Sequence, residues 1–334
     1  MNNFVEILTQ RAADQANDVG YVFLGDRSSS PEEWTYGELD RRARWIAYRL
    51  RQRCQPGDRA LLLFPSCLNY IAALFGCFYA GVVAVPAYPP GPRHRHRLSS
   101  IAADCEPAVV LTTQGVAATV SSWGDSSWDS ARLMTVDGGA ESGVEWPEAA
   151  PSDSDLAFLQ YTSGSTGSPK GVMVTHGNLI ENQRMIESAF GHDRETVVVS
   201  WLPMFHDMGL VGGVLQPLYL GAKCVLMSPG SFLQHPIRWL KAISDYRATS
   251  SGGPNFAYEY CVKRIRAEQM ADIDLRGWRV AFNGSEVVRA ETLRGFSEKF
   301  RSRGFRENAF YPCYGMAEAT LLVTGVEPDR ANAT

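Results

Sequence analysis

Between the apolar run Leu156 to Gln160 and Val172-Met-Val174 lies the string Tyr161-Thr-Ser-Gly-Ser-Thr-Gly-Ser-Pro-Lys-Gly171. Closely spaced Gly164 and Gly167 let backbone N–H groups converge on an anion, the hydroxyls of Thr162, Ser163, Ser165 and Thr166 add donors, and Lys170 adds a full positive charge. That combination suits a polyphosphate. It is not the Walker loop GxxxxGK[ST], because Pro169 stands in place of the second glycine and Gly171 in place of the magnesium-binding hydroxyl. A Ser/Gly-rich surface loop would account for the small residues, but not for Lys170 followed at once by a β-rich run.

His206 and Asp207 are adjacent and suggest a metal pair or a general base, yet no third ligand is spaced nearby. A structural imidazole stays open beside a functional one. His94 and His96, within Pro-Arg-His-Arg-His-Arg97, read as a solvated basic loop.

Residues of this kind need elements to hold them. Apolar strand candidates alternate with helix candidates: Leu61 to Phe64, Val82 to Val85, Val109 to Thr112, Leu156 to Tyr161, Val197 to Trp201, Lys223 to Met227 and Arg279 to Phe282. Their continuous hydrophobicity predicts strands covered on both faces, as in parallel α/β sheets. Leu179, Ile186 and Phe190 recur at helical spacing, as do Leu293, Phe296 and Phe300, and both sets read as core stripes. Gly115 to Asp155, rich in Ser, Gly, Asp and Ala, reads as a surface excursion.

The chain has 334 residues, 32 Lys+Arg against 36 Asp+Glu, and 45% hydrophobic residues. That composition excludes wholesale disorder and fibrous repeats, and a slightly acidic chain without a basic run argues against nucleic acid as a partner. At roughly 150 residues per domain, two structural units are expected. Seven cysteines, at 54, 67, 77, 105, 224, 261 and 313, are odd in number and form no CxxC pair, so reduced thiols in a cytoplasmic protein are expected. Residues 60 to 92 carry no charge, but Pro65, Gly76, Gly81, Pro86, Pro89 and Pro90 divide them. We read a strand, a helix over Leu68 to Ala80 ended by Gly81, and a second strand, with no transmembrane segment.

Four blocks in order, the 161–171 string, Trp201-Leu-Pro-Met-Phe-His-Asp-Met-Gly-Leu210, Asn283-Gly-Ser-Glu286 and Tyr311-Pro-Cys-Tyr-Gly-Met-Ala-Glu-Ala-Thr320, resemble the signature blocks of the adenylate-forming superfamily. Together with Gly81-Val-Val-Ala-Val-Pro-Ala-Tyr-Pro-Pro90, their spelling is most similar to fatty acyl-AMP ligases. The resemblance runs through nearly the whole chain. It implies the large N-terminal domain of that fold: α/β, two mainly parallel sheets flanked by helices, incomplete at the C-terminal side. Residues of about 58–190 would form a first subdomain with the phosphate loop, and about 1–57 plus 191–334 a second.

The activity implied is attack of a fatty acid on the α-phosphate of ATP, release of pyrophosphate, and transfer of the acyl group to the phosphopantetheine thiol of an acyl carrier protein or polyketide synthase carrier domain. By the same resemblance, Thr162, Ser163, Gly164, Ser165, Thr166, Gly167 and Lys170 hold the phosphates. Glu318 and Thr166 hold Mg2+, although Glu318 read alone also suits the first turn of a helix. Tyr314, Gly315 and Met316 with Gly284, Ser285 and Glu286 enclose adenine, and His206 lies near the carboxylate and α-phosphate. Val287 departs from the proline expected there. Met208 to Leu220 and Gly252 to Tyr260 supply candidates for an acyl slot, and core packing explains many of them equally well.

In that family a ribose-binding aspartate, a hinge and a small domain with a catalytic lysine follow the glutamate, whereas this sequence stops at Thr334. The expectation is that these residues recognise nucleotide and acyl chain but adenylate slowly or not at all. An acyl-CoA synthetase is the alternative enzyme, and a non-catalytic binding protein the alternative of another class.

Overall fold

The computed structural model describes residues 2–25, 30–91, 94–123, 128, 132–137, 151–162 and 169–326. In chain order the strands are β1 (Val19–Leu24), β2 (Glu32–Thr35), β3 (Arg59–Leu63), β4 (Val83–Pro86), β5 (Val109–Thr112), β6 (Leu133–Thr135), β7 (Leu156–Thr162), β8 (Lys170–Thr175), β9 (Val197–Ser200), β10 (Lys223–Met227), β11 (Ser250–Gly253), β12 (Val280–Asn283), β13 (Phe310–Gly315) and β14 (Leu322–Gly325). They form a six-stranded sheet ordered β6-β5-β3-β4-β7-β8 and an eight-stranded sheet ordered β14-β13-β12-β11-β9-β10-β1-β2. From β1 with β10 onward along the eight-stranded sheet, and throughout the six-stranded one, pairing is parallel apart from β7 with β8 and β13 with β14. The expected α/β class with two mainly parallel sheets is the observed one.

The chain divides into two compact units, residues 1–18 with 34–181 and residues 19–33 with 182–334. This differs from the expected division, because the helices Phe4–Asp14 and Tyr36–Arg51 belong to the first unit, where the second of them packs on the helix Leu68–Ala80. Only the short segment that makes β1 and the start of β2 joins the second.

In the first unit, the helix Leu68–Ala80 is buried along nearly its whole length and ends where Gly81 takes a left-handed φ of 71°. At 13 residues it falls short of a bilayer, and among the described residues no helix is long and apolar enough to cross a membrane. The apolar residues of β3, β4 and β5 pack with Leu98 and Ile101 of the helix Arg95–Cys105. His94 and His96 therefore lie at the start of that helix and not in a loop, with His94 stacked on Tyr88 at 5.1 Å. Part of the presumed surface excursion is also regular, since Gln114–Ser121 is helical and β6 extends the sheet.

The second unit has an aromatic core. Tyr258 meets Phe296 and Phe310 edge to face at 5.1 and 5.2 Å, and Trp278 lies parallel to Tyr258 at 6.3 Å. Trp278 donates its indole N–H to Val280 O at 2.9 Å, and Trp239 donates to Ser251 Oγ at 2.7 Å, so both buried indoles are satisfied. Trp278→Ala removes a fully buried ring from this cluster. The expected loss is about 3 to 5 kcal/mol of unfolding free energy in a urea titration.

Candidate active site

The neighbours β9, β11, β12 and β13 run parallel, so the segments leaving their carboxyl ends gather along one edge of the sheet. Open parallel sheets bind ligands at that edge. Trp201 to Asp207 follow β9, Gly284 to Glu286 follow β12, and β13 itself ends in Tyr314 and Gly315. Two glycines are required by close approach: a Cβ on Gly284 would lie 2.8 Å from Cys313 O, and one on Gly315 would lie 2.1 Å from Leu321 O.

These segments border a cleft of about 600 Å³, its open mouth included. Gly284, Ser285, Tyr314 and Gly315 contribute backbone and an aromatic ring, and Tyr314 is 56% exposed. Ile186, Phe190, Met208, Phe282, Leu321 and Leu322 contribute apolar wall. His192, Ser250 and Cys313 are further lining residues. Register places Ser250 opposite Val280, four residues before Gly284, which corresponds to roughly 13 Å at the rise of a strand. A flat polar ring and an extended apolar chain match this combination of surfaces.

Asp207 caps the π-helical segment Met208–Leu215, its carboxylate accepting from Met208 N–H at 2.7 Å. Burial pushes its pKa up and the Glu318 charge adds to the rise, against the lowering by the Met208 N–H and His206. Cys313 is raised to about 11, chiefly by burial, so its thiol stays protonated. Both ring nitrogens of His192 are buried without a hydrogen-bond partner, and burial lowers its pKa to about 4. The imidazole is neutral.

Of the residues expected from sequence, Tyr314, Gly315, Gly284 and Ser285 come together at the cleft. Ser285 adopts φ 70° with its hydroxyl 3.7 Å from Met208 Sδ. Glu286 and Met316 are not among the residues lining the cleft. Glu286 instead accepts from Phe256 N–H at 2.6 Å, a carboxylate at the N-terminus of the helix Asn255–Arg264. Val287 is 78% exposed. Glu318 lies exposed in the short 3₁₀ turn Ala317–Ala319, and His206 is exposed beside Asp207.

Strands β7 and β8 pair antiparallel up to Thr162 opposite Lys170, and Lys170 is exposed. Ser163, Gly164, Ser165, Thr166 and Gly167 lie outside the described residues. Among the described residues no cluster of three His, Cys, Asp or Glu side chains could hold a metal by itself. An exposed carboxylate whose charge is felt by a second one, Asp207, nevertheless fits a cation brought in on a polyphosphate, since Mg2+ keeps to one or two carboxylates plus phosphate oxygens.

The acyl-slot candidates divide between this cleft and the core. Met208 and Gly212 line the cleft, but Leu210, Val211, Val214, Leu215 and Leu218 are buried in the core, and no residue of Gly252 to Tyr260 lines it. Conversely Ile186 and Phe190, expected as plain core, form part of its wall. Their spacing was visible; a helix face that packs on a sheet and one that borders a cleft between helix and sheet have the same period.

A family model described as AMP-binding enzyme matches residues 8–334. The chain is 44% identical to the medium-chain-fatty-acid–[acyl-carrier-protein] ligase JamA of Moorena producens, over 97% of this chain and 56% of that protein. It is 39% identical to the ligase of the same description, TtuA, of Teredinibacter turnerae, over 94% of this chain and 55% of that one. The structure of the fatty acyl-adenylate ligase from L. pneumophila, in complex with acyl adenylate and pyrophosphate, superposes with a TM-score of 0.91 at 43% identity, covering 98% of this chain and 57% of that chain. The chain thus spans a little over half the length of these relatives.

Burial also lowers His176 to about 4. The unfolded state binds protons that folded His176 and His192 exclude, so stability is complete above pH 6.5 and falls as pH drops toward 4. Each histidine should cost about 2 kcal/mol between pH 7 and pH 5. Urea titrations at the two pH values should record that loss, and His192→Phe should reduce it by roughly one histidine's share.

Proposed function

This chain belongs to the AMP-binding enzyme family, and on that premise we propose that the complete protein activates a fatty acid with ATP, forming an acyl-adenylate and pyrophosphate, and passes the acyl group to the thiol of a carrier protein. The observation that carries the reading is the cleft at the strand ends, where Tyr314 and the Gly284-Ser285 backbone stand beside an apolar wall. Relatedness to carrier-protein ligases supports the acceptor. Seven free cysteines support a cytoplasmic setting.

A carboxylate is a weak nucleophile and meets a polyanion, so the work of the protein is neutralisation and alignment. One carboxylate oxygen forms a bond to the α-phosphorus while the bond from that phosphorus to the β-bridging oxygen breaks, and the electron pair leaves on pyrophosphate. No proton need be removed, because the acid is already ionised at neutral pH. Lys170 and the 162–167 loop hold the β and γ phosphates, His206 orients the carboxylate and α-phosphate, and Tyr314 with Gly284, Ser285 and Gly315 holds adenine. Glu318 and Thr166 hold Mg2+, which when bound offsets phosphate charge.

With ATP, Mg2+ and laurate, the complete protein should release pyrophosphate and then load a holo carrier protein. Thioester on CoA instead would favour a synthetase, and no adenylate a binding protein. Lys170→Ala and Glu318→Ala should each lower pyrophosphate release by about a hundredfold or more without moving the urea midpoint. Wild-type rates in both would discard these roles.

A further inference from the structure

One face of the helix His176–Phe190 serves two purposes. Asn182, Ile186 and Phe190 succeed one another at intervals of four residues, and the last two line the cleft. Asn182 is 4% exposed and turns its amide to the segment that follows Glu318. Its Nδ2 donates to Ala319 O at 3.3 Å and to Leu322 O at 3.0 Å, and its Oδ1 accepts from Leu322 N–H at 3.1 Å.

Between those anchor points Thr320 has φ 72° and ψ −55°, while Leu321 N–H donates to Ala319 O at 2.9 Å. This is a γ-turn of positive φ, a conformation that a β-branched residue holds only under constraint from its surroundings. Asn is the side chain for the task, because it offers two donors and an acceptor in one plane on a short stem. Buried, the bonds it makes have no ready replacement from water. The segment so held carries Glu318 at one end and two cleft residues, Leu321 and Leu322, at the other.

We propose that Asn182 is a positioning residue: its amide clamps the backbone at 319 and 322, imposes the strained turn, and thereby fixes Glu318 relative to the cleft. The inference rests on the adenylation role assigned above to Glu318, but the clamp has a readout of its own.

In the complete protein, Asn182→Leu and the milder Asn182→Ser should raise hydrogen exchange of the 317–322 amides by about tenfold or more, leaving the helix 176–190 as protected as before. In the same variants kcat for pyrophosphate release should fall by about tenfold or more while KM for the fatty acid changes by less than about threefold. Unaltered exchange at 317–322 in both variants, or faster exchange with wild-type kcat, would overturn the proposal. If the wild-type protein forms no acyl-adenylate, the functional reading fails instead, and exchange alone decides whether the clamp exists.

Discussion

Parallel pairing from β9 through β11 and β12 to β13 is the constraint on which the candidate site depends. Parallel strands all deliver their carboxyl ends to one edge, so residues more than a hundred apart in sequence, such as Asp207 and Tyr314, border the same cleft without any direct bond. The ladder in turn requires close backbone approach where the strands finish. Gly284 beside Cys313 and Gly315 beside Leu321 leave no room for a side chain, which explains glycine at both places better than flexibility does.

Electrostatics follows from that geometry. Burial and the charge of Glu318 raise the pKa of Asp207, against the lowering by the Met208 N–H and His206. On the proposed reading a nucleotide carrying its own cation would relieve this repulsion, whereas among the described residues no cluster makes a preformed metal site. Neutral His192 and protonated Cys313 keep the remaining lining free of net charge, in harmony with an apolar occupant.

Much of this was legible in the residues. Val109–Thr112 and Lys223–Met227 coincide with the observed strands, and the helix Leu68–Ala80 begins and ends where its punctuation placed it. Strand β11, Ser-Ser-Gly-Gly, was invisible because its small residues carry no apolar pattern; its place is set by neighbours that pack against it. Strand β1, Val-Gly-Tyr-Val-Phe-Leu, does carry an apolar pattern and was overlooked, whereas β13, Phe-Tyr-Pro-Cys-Tyr-Gly, is disguised by its proline and glycine. In the site, the motifs brought out Gly284, Ser285, Tyr314 and Gly315, which the structure gathers at the cleft. The apolar wall of the cleft did not announce itself, for Phe190, Phe282 and Leu321 look like any core residues, and the amide of Asn182 bonds main-chain atoms that no pattern of side-chain types reveals.

The chain path has a consequence for biosynthesis. Strand β1 is apolar and finds its partner in β10, pairing Tyr21 with Cys224, about two hundred residues later. At ribosomal speeds of roughly 5 to 20 residues per second, that wait lasts on the order of 10 to 40 s. During it the segments of the first unit emerge and can condense, while Val19–Leu24, with only β2 beside it, keeps its other edge unpaired. The newborn polypeptide thus exposes the open edge of β1 until β10 has been made, and a holding chaperone would have that edge to shield.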